Sequence, residues 1–244
     1  VYNYIMRLYD DRGFFYYSLT LINEDIIYMP NVWYALEALN AIGKIDDLPQ
    51  DVKESIIDWL LYMQDEESGL FYEHYDPFTG ERDTIYSGST FFAVRSLQLL
   101  GALDRIWGLR EKIIDSVFEQ FYFEEDGTFG DNAFHTDLSN FYVVWLLDIL
   151  GGLNESVALR NARTLVDYIN PYTGLDYDTN LATTGTIILT MAILGYLDLL
   201  PKYTTVQTIL EMQDHTYGGF VQFLGATDPD LKKPNLRCVY GAIK

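Results

Sequence analysis

Residues 60–103 read LLYMQDEESGLFYEHYDPFTGERDTIYSGSTFFAVRSLQLLGAL and contain the unit from which the rest of the chain can be understood. It begins with the end of a helix at Met63-Gln64, and an acidic turn then reaches Gly69-Leu70-Phe71. A polar loop rich in Tyr and Asp follows. The strongly apolar segment from about Gly88 to Leu100 is typical of a buried helix, and Gly101 is expected to end it. The rest of the chain varies this unit.

Two series of glycines show the repeat. A turn glycine followed closely by an apolar or aromatic residue recurs at Gly13, Gly69, Gly127, Gly174 and Gly219. A second series ends the apolar helices, at Gly43, Gly101, Gly151 and Gly195. Both series recur about every 44 to 58 residues, which is the spacing of a repeat array. We therefore predict a single domain whose repeats cover approximately residues 1–43, 44–101, 102–151, 152–195 and 196–244.

Two kinds of predicted helix alternate along the chain. Some are apolar nearly all round, whereas others carry one apolar stripe with charges between; a helix of the first kind must be covered on every face. The alternation predicts an all-α protein with buried inner helices and a shielding outer layer, an α/α barrel (toroid) of about five to six helical hairpins. Strands are not required, and a closed ring or an open arc both fit. The predicted helices cover residues 2–9, 31–41, 50–64, 88–100, 109–121, 141–150, 156–169, 186–194, 204–212 and 238–244.

Composition narrows the classes of partner. The 244 residues carry 36 Asp and Glu against 16 Lys and Arg, a formal net charge of −20, which argues against nucleic acid and anionic membrane surfaces. No apolar run reaches the length of a membrane span. The residues after Val1 show no basic segment followed by an apolar core, so no signal peptide is expected and a cytoplasmic location is favoured. The single cysteine excludes an intramolecular disulfide.

The repeat resembles that of the prenyltransferase and squalene-cyclase family. The motif copies that carry the resemblance are LLYMQDEESGLFY leading to STFFAVRSLQLLG, and ILEMQDHTYGGFVQF leading to RCVYGAI. The resemblance spans nearly the whole chain. It implies an α/α toroid like the β subunit of protein prenyltransferases, whose central cavity is lined by aromatic side chains and holds an isoprenoid. The same toroid serves terpenoid cyclases, complement thioester domains and some polysaccharide-degrading enzymes, so the fold alone does not give the function.

The zinc site of protein prenyltransferases has no counterpart in this sequence. In that family an Asp-x-Cys precedes one inner helix, because zinc must hold the acceptor thiol as a thiolate. Alignment of the inner helices on their terminal glycines places the Asp and Cys positions on Tyr28 and Pro30, Tyr86 and Gly88, Thr136 and Leu138, and Asn180 and Ala182. The only cysteine, Cys238, lies in the last repeat, and Arg237 stands about where the zinc-binding His would be. We therefore predict no cofactor and no prenyltransferase-type zinc.

Other activities of the fold also lack their signatures. Class II terpenoid cyclases protonate an alkene with an Asp-x-Asp-Asp motif, which is absent, and the thioester motif Gly-Cys-Gly-Glu-Gln is absent too. An acidic, aromatic cleft also suits a glycan-cleaving enzyme, in which two carboxylates act as acid and base. The sequence identifies no such pair.

Candidate site residues stand where inner helices begin. His135 and Asp137, with Asn140, could bind a metal or share a proton; the alternative is that Asp137 or Ser139 caps the helix and His135 lies in the loop. Arg237 could pair with an anionic head group or with a carboxylate at the rim. Aromatic side chains of the inner helices would line the cavity, and the predicted ligand-binding aromatics are Tyr86, Tyr142, Trp145 and Tyr240. The segment Glu73-His74-Tyr75-Asp76 is interpreted as a solvated loop.

Two classes of function follow. The first is a prenyltransferase-like repeat protein, catalytic or not, that binds an isoprenoid or a similar amphiphile in an aromatic cavity. The second is a non-catalytic module that binds a protein or a glycan, with the glycan-cleaving enzyme as a further alternative. The expected partner is accordingly a hydrophobic or amphiphilic small molecule, or a protein.

Overall fold

Helices dominate the computed structural model, which describes residues 1–21, 26–131, 137–213 and 220–225. The chain forms two units, Val1–Phe121 and Tyr122–Lys244. The helices of the described residues are α1 (Tyr2–Met6), α2 (Met29–Ala41), α3 (Gln50–Tyr62), α4 (Ser87–Leu99), α5 (Arg110–Phe121), α6 (Asp137–Leu150), α7 (Glu155–Asp167), α8 (Leu181–Leu194) and α9 (Lys202–Glu211). The predicted all-α class is confirmed. The predicted helix at residues 238–244 lies outside the described residues.

Short strands correct the expectation that strands are not needed. Every strand in the described part of the chain has two residues: β1 (Tyr9–Asp10), β2 (Phe14–Phe15), β3 (Ile27–Tyr28), β4 (His74–Tyr75), β5 (Arg82–Asp83), β6 (Tyr122–Phe123) and β7 (Thr128–Phe129). β1 pairs with β2, β4 pairs with both β3 and β5, and β6 pairs with β7, all antiparallel. The backbone N–H and C=O groups of the turns need partners, and these pairs supply them.

Several helix ends differ from the prediction. Helix α6 begins at Asp137 rather than residue 141, and α8 begins at Leu181 rather than residue 186. The first turn of each of these helices is polar, and in the sequence a polar segment before an apolar run is typical of a loop. Helix α1 ends at Met6, three residues early, and α7 ends at Asp167, after which Ile169 pairs with Asp176 in a short bridge.

The predicted alternation of apolar and striped helices matches the residues that the structure buries. We use "inner helices" for α2, α4, α6 and α8, and "outer helices" for α3, α5, α7 and α9. Ten of the thirteen residues of α4 are buried, whereas α5 buries Ile113, Ile114, Val117 and Phe121 and exposes polar residues. Helix α2 packs against α4, and α6 packs against α8. This arrangement is expected when each apolar inner helix is covered by an outer helix that is apolar on a single side.

A side chain in the first turn of an inner helix holds the preceding turn. In each case the backbone N–H two residues after the turn glycine donates to it: Phe71 to Thr90 Oγ1 (3.0 Å), Phe129 to Asn140 Oδ1 (3.0 Å) and Asp176 to Thr184 Oγ1 (2.9 Å). All three acceptor side chains are buried. A buried N–H without a partner would destabilise the fold, so these polar residues are structural.

A hydroxyl on an outer helix holds the same turn from the other side. Each of these hydroxyls donates to a backbone carbonyl at or just before a turn glycine: Ser55 to Asp11 (2.8 Å), Ser116 to Ser68 (2.8 Å), Thr164 to Asp126 (2.5 Å) and Thr205 to Gly174 (2.9 Å). The donor follows its acceptor in sequence every time. Each turn is therefore held by the outer helix that comes after it.

Asp10 links the first turn to a distant loop through Arg12. Its carboxylate accepts from Arg12 Nε (2.8 Å) and from the Tyr16 hydroxyl (3.0 Å), and Arg12 donates in turn to the Pro77 carbonyl (2.9 Å). The hydrogen bonds from Arg12 outweigh partial burial and hold the pKa of Asp10 below its usual value.

The depressed pKa of Asp10 predicts a pH-dependent contribution to stability. Because the pKa is lower in the folded chain, the contribution is present above the unfolded-state pKa of about 3.9 and is lost as the pH falls through the folded value. We expect Asp10→Asn to lower the free energy of unfolding at pH 6 by about 1 kcal/mol, since Arg12 is half exposed and solvent screens the pair.

Urea unfolding at pH 6 and pH 3 measures this effect. The difference between the Asp10→Asn variant and the parent should shrink at pH 3. Asp47→Asn is the matched control, because the Asp47 carboxylate pairs with Lys44 at the surface, where both side chains are about half exposed. An Asp10→Asn loss that stays the same at both pH values would contradict the assignment.

Among the described residues, no helix combines the length and the apolar character needed to cross a bilayer.

Candidate functional site

Two inner helices of the first unit begin directly after a tyrosine. Tyr28 is the N-cap residue of α2 and Tyr86 is the N-cap residue of α4, both with extended backbone. Asn180 holds the same place before α8. The alignment on helix-ending glycines predicts these three residues to be equivalent, and their common N-cap position confirms it. Tyr28 is 39% exposed and Tyr86 is 44% exposed, so a ligand can contact both rings.

The backbone before α4 is fixed by Ser89. Its hydroxyl accepts from the Tyr86 N–H (3.1 Å) and donates to the Tyr86 carbonyl (2.7 Å). This reciprocal pair satisfies groups at the helix start that have no partner within the helix. Tyr86 is thereby anchored through its main chain, while its side chain faces solvent.

His74 lies between the two tyrosines because of the three-stranded sheet. Tyr28 is directly opposite His74 in the β3–β4 pair, and His74 is directly opposite Asp83 in the β4–β5 pair. The ring centroids of His74 and Tyr28 are 4.9 Å apart, and those of His74 and Tyr86 are 6.2 Å apart, both edge-to-face. We call Tyr28, His74, Asp83 and Tyr86 the tyrosine–histidine cluster.

The cluster offers both apolar and hydrogen-bonding surface. His74 Nδ1 lies 2.8 Å from Asp83 Oδ1. In the neutral ring this carboxylate favours the proton on Nδ1, so that Nε2 is an acceptor; in the charged ring both nitrogens donate. The tyrosine rings add apolar faces with a hydroxyl at the end of each. Such a site can hold a ligand that has polar groups next to an apolar part.

A strained residue joins β5 to α4. Thr84 has φ +56°, a left-handed conformation that is costly for a β-branched side chain, and its carbonyl accepts from the Glu73 N–H (2.7 Å). Thr179, just before the N-cap of α8, has φ +57°. Strain of this kind costs about 1–3 kcal/mol and persists where the surroundings enforce it. The left-handed conformation of Thr84 turns the backbone from β5 into α4 and so positions Tyr86.

A buried pair of asparagines lies in the second unit, where Asn140 takes the place that Thr90 has in the first. Asn140 Nδ2 donates to Asn161 Oδ1 (3.1 Å), and Asn161 Nδ2 donates to Asn140 Oδ1 (2.8 Å) and to the Gly127 carbonyl (3.0 Å). Asn140 Oδ1 also accepts from the Phe129 N–H. The pair joins α6, α7 and the turn between β6 and β7. Its polar atoms are engaged within the protein, which gives Asn140 a structural role.

Comparison with known families agrees with this architecture. The model of the prenyltransferase alpha-alpha toroid domain matches residues 3–170 and again residues 79–243. The chain belongs to this family. No curated protein matches this toroid domain by sequence.

Solved structures show the same toroid fold at low sequence identity. Protein geranylgeranyltransferase-I of Candida albicans, complexed with GGPP, superposes with a TM-score of 0.76 at 13% identity, over 99% of this chain and 74% of that one. The type II terpene cyclase MstE from Scytonema gives a TM-score of 0.61 at 10% identity, over 90% of this chain and 64% of that one. Identities this low establish a shared fold, and the function of the toroid has to be argued from its own residues.

The structure places five of the predicted site residues. Tyr86 belongs to the cluster in the first unit. In the second unit Asn140 is buried, Asp137 is the first residue of α6, and Tyr142 and Trp145 are half-buried on the same helix. The Phe141 ring contacts both Tyr142 (5.7 Å) and Trp145 (5.4 Å). His135, Arg237 and Tyr240 lie outside the described residues, so their predicted roles stay predictions.

Within residues 1–21, 26–131, 137–213 and 220–225, no three His, Cys, Asp or Glu side chains converge on a point that could hold a metal ion. The absence of a cofactor stays a prediction from the sequence.

Three members of the cluster, Tyr28, His74 and Asp83, are absent from the site residues that the sequence predicts, and His74 is the central one. The sequence predicts a solvated loop for residues 73–76, yet β4 is the central strand of a sheet and the His74 side chain is only 25% exposed. One signal was available in the sequence. His74 and Asp83 flank a turn at Pro77 to Gly80, so a hairpin would bring them together.

Proposed function

We propose that this toroid domain binds an isoprenoid or a similar amphiphile. In this proposal the apolar chain of the ligand contacts the aromatic surface of α2 and α4, and its polar end contacts the tyrosine–histidine cluster. The observation that carries the proposal is the placement of two exposed tyrosines and an oriented histidine at the start of two adjacent inner helices.

A second group of aromatic side chains, which we call the aromatic surface, lies further along both helices. The Trp33 ring lies 4.9 Å from Phe92, 5.7 Å from Phe91 and 4.7 Å from Tyr34. Phe91 and Phe92 are buried and anchor the group, whereas Tyr34 is more than half exposed. Aromatic side chains combine a large apolar area with few rotatable bonds, which suits them to contact an extended hydrocarbon.

A charged pair bounds the aromatic surface at its other end. Arg95 Nε donates to Glu37 Oε1 (2.7 Å) between α4 and α2, and both side chains are largely buried. Glu37 is four residues after Trp33, and Arg95 is three residues after Phe92, so each pair shares a helix face. The surface is therefore apolar in the middle and polar at both ends, which matches an amphiphile.

Thermal unfolding in the presence of amphiphiles tests the proposal. Geranylgeranyl diphosphate or palmitate should raise the unfolding temperature, because a ligand that binds only the folded state stabilises it by about 2.7 kcal/mol at 100 times its Kd. The double variant Tyr28→Ala/Tyr86→Ala should lose most of this stabilisation. Tyr172→Ala is the matched control, since Tyr172 is 89% exposed and lies outside the cluster.

Probes that carry one half of the ligand separate its two contributions. Geranylgeraniol supplies the chain without the charge, and inorganic diphosphate supplies the charge without the chain. Both should stabilise the protein less than the complete amphiphile. Unfolding temperatures that stay constant across the panel, or that rise equally in the parent and the double variant, would refute binding at this surface.

A glycan-binding module is the second candidate. Exposed tyrosine rings can stack against sugar rings, and the exposed Asp83 carboxylate can accept from sugar hydroxyls. The net charge of −20 opposes anionic head groups but not neutral sugars. Calorimetric titration with neutral oligosaccharides decides between the candidates: heat that disappears in Tyr28→Ala/Tyr86→Ala, together with no response to amphiphiles, favours the glycan.

A further inference from the structure

An unpartnered polar side chain lies at the start of α2. Asn31 is only 8% exposed, yet no acceptor in the described part of the chain lies within hydrogen-bonding distance of its Nδ2 atom. A buried amide donor without a partner destabilises the folded chain, and buried polar groups are therefore nearly always bonded. An acceptor oxygen brought by a ligand would relieve this cost, so Asn31 marks a place where such an oxygen binds favourably.

Asn31 lies beside the tyrosine–histidine cluster. It is the third residue of α2, and helical side chains lean toward the start of their helix, where Tyr28 is the N-cap residue. Ser89 has the same place in α4, and its hydroxyl accepts from the Tyr86 N–H (3.1 Å). A side chain at this position therefore reaches the tyrosine that precedes the helix.

The backbone at the start of α2 adds a second donor. The Met29 N–H is already engaged, because it donates to the carbonyl of Glu73, the residue before His74 (2.8 Å). Pro30 has no N–H, so the Asn31 N–H is the one in the first three residues of α2 that still has no acceptor within the helix. The positive end of the helix dipole lies at the same place. Asn31 thus offers a main-chain and a side-chain donor to an anionic group.

Lys and Arg side chains are scarce around the cluster. The elements that carry it and the aromatic surface, α2, α4, β3, β4 and β5, contain two of them, Arg82 and Arg95. Arg82 precedes Asp83 on β5 and so points to the other face of the sheet. Arg95 pairs with Glu37 (2.7 Å). The Asp83 carboxylate, beside His74, adds a negative charge. These elements suit a head group with one negative charge better than a diphosphate, which is normally bound by Arg or Lys.

We propose that Asn31 binds the head group of the ligand and that this head group is a carboxylate. The inference rests on the proposed function and names the ligand class of that site, a long-chain acid. A carboxylate carries a single charge, and its two oxygens accept several hydrogen bonds. The Asn31 amide and main-chain N–H donate to it, the hydroxyls of Tyr28 and Tyr86 supply further donors, and the chain contacts the aromatic surface.

Three probes with the same geranylgeranyl chain test the head group. Isothermal titration calorimetry gives the Kd of geranylgeranoic acid, geranylgeranyl diphosphate and geranylgeraniol. The acid should bind at least about tenfold more tightly than either of the others. Palmitate carries the same head group on an unbranched chain, so the tighter of the two acids tells whether an isoprenoid or a fatty acid is the natural source of the carboxylate.

Asn31→Leu separates contact with the ligand from a structural role. Leucine has a similar volume and leaves no buried donor unsatisfied, so the unfolding temperature of the free protein should stay the same or rise. The Kd for geranylgeranoic acid should nevertheless rise about tenfold or more. Asn40→Leu is the matched control, because Asn40 is exposed at the other end of α2, and it should not change the Kd.

Asp83→Asn tests the part that charge has in the preference. Asparagine keeps an acceptor for His74 Nδ1 and removes the negative charge beside the head group. Removal of that charge favours the diphosphate more than the acid, so the ratio of the two Kd values should shrink about threefold. A ratio that does not move would show that charge at the cluster does not select the head group.

The outcomes distinguish this inference from the proposed function. Equal binding of the acid and the diphosphate, or an unchanged Kd in Asn31→Leu, would overturn the carboxylate assignment while both ligands still depend on Tyr28 and Tyr86. A lower unfolding temperature of unliganded Asn31→Leu would assign the amide a structural role instead. If no amphiphile binds, or if binding survives in Tyr28→Ala/Tyr86→Ala, the proposed function fails and this inference fails with it.

Discussion

Gly13→Ala is expected to lower the free energy of unfolding by about 3 kcal/mol or more. A Cβ built on Gly13 would lie 2.0 Å from the Ser55 carbonyl oxygen and 3.0 Å from Trp59 Cβ, so the turn and α3 would have to move apart. The φ of Gly13 is +98°, which adds conformational strain for any residue with a Cβ. The displacement would also break the hydrogen bond from Ser55 Oγ to the Asp11 carbonyl.

Gly101→Ala separates crowding from strain. Gly101 ends α4 with φ +70°, and a Cβ there would have no neighbour within 4 Å. Its replacement should cost only the strain of a left-handed residue, about 1 kcal/mol. Urea unfolding followed by circular dichroism measures both variants. Equal losses at the two positions would show that the approach of α3 to the first turn is not what requires glycine at Gly13.

Asn161→Ala is expected to cost about 3 kcal/mol. Asn161 is completely buried, and its removal takes away the donor to the Gly127 carbonyl and the acceptor of Asn140 Nδ2. A buried polar group that loses its hydrogen bond costs about 1–3 kcal/mol. Arg163→Ala on the same helix is the control, because Arg163 is exposed and should change stability by less than about 0.5 kcal/mol.

The double variant Asn140→Ala/Asn161→Ala shows whether the two amides act as a pair. Removing both eliminates two of the groups that the single variants leave unsatisfied. The combined loss should therefore be smaller than the sum of the single losses by about 1 kcal/mol or more. Strictly additive losses would mean that the reciprocal hydrogen bonds contribute nothing beyond their contacts with the backbone.

Periodicity and glycine position predict the helices of this toroid well. Gly43, Gly101, Gly151 and Gly195 all have positive φ at or just beyond the ends of the inner helices, as the sequence indicates. The starts of α6 and α8 are harder to predict, because Asn140 and Thr184 point back to bond the preceding turn. In the sequence, a polar residue at a helix start that bonds the preceding turn cannot be distinguished from a polar residue of a loop.

The candidate site was less predictable than the helices. Tyr86 could be placed at a helix start because the glycine alignment fixes its position in the repeat. His74 could not be assigned to the same site, since its position depends on strand pairing between β3, β4 and β5. Two-residue strands leave almost no alternation in the sequence, and a register error of one residue would turn the side chain to the other face.

The orientation of α9 is a second feature that the hydrophobic pattern alone does not predict. A stripe of apolar residues normally marks the buried side of an outer helix, yet α9 exposes Tyr203, Val206 and Leu210 and buries Thr205 and Thr208. Ile209, on the inward side, packs against the buried cluster that contains Met212. Thr205 faces inward and its hydroxyl donates to the Gly174 carbonyl (2.9 Å). Hydropathy does not report such a hydrogen bond.

The hydroxyls that hold the turns give the chain a direction during its synthesis. Ser55 follows the carbonyl it binds by 44 residues, Ser116 by 48, Thr164 by 38 and Thr205 by 31. Synthesis proceeds at about 5–20 residues per second, so several seconds pass between the synthesis of a turn and that of the hydroxyl that bonds it. Throughout elongation the newest turn is always the one still open, so nascent chains should be most sensitive to proteases there, and the sensitive site should advance one repeat at a time.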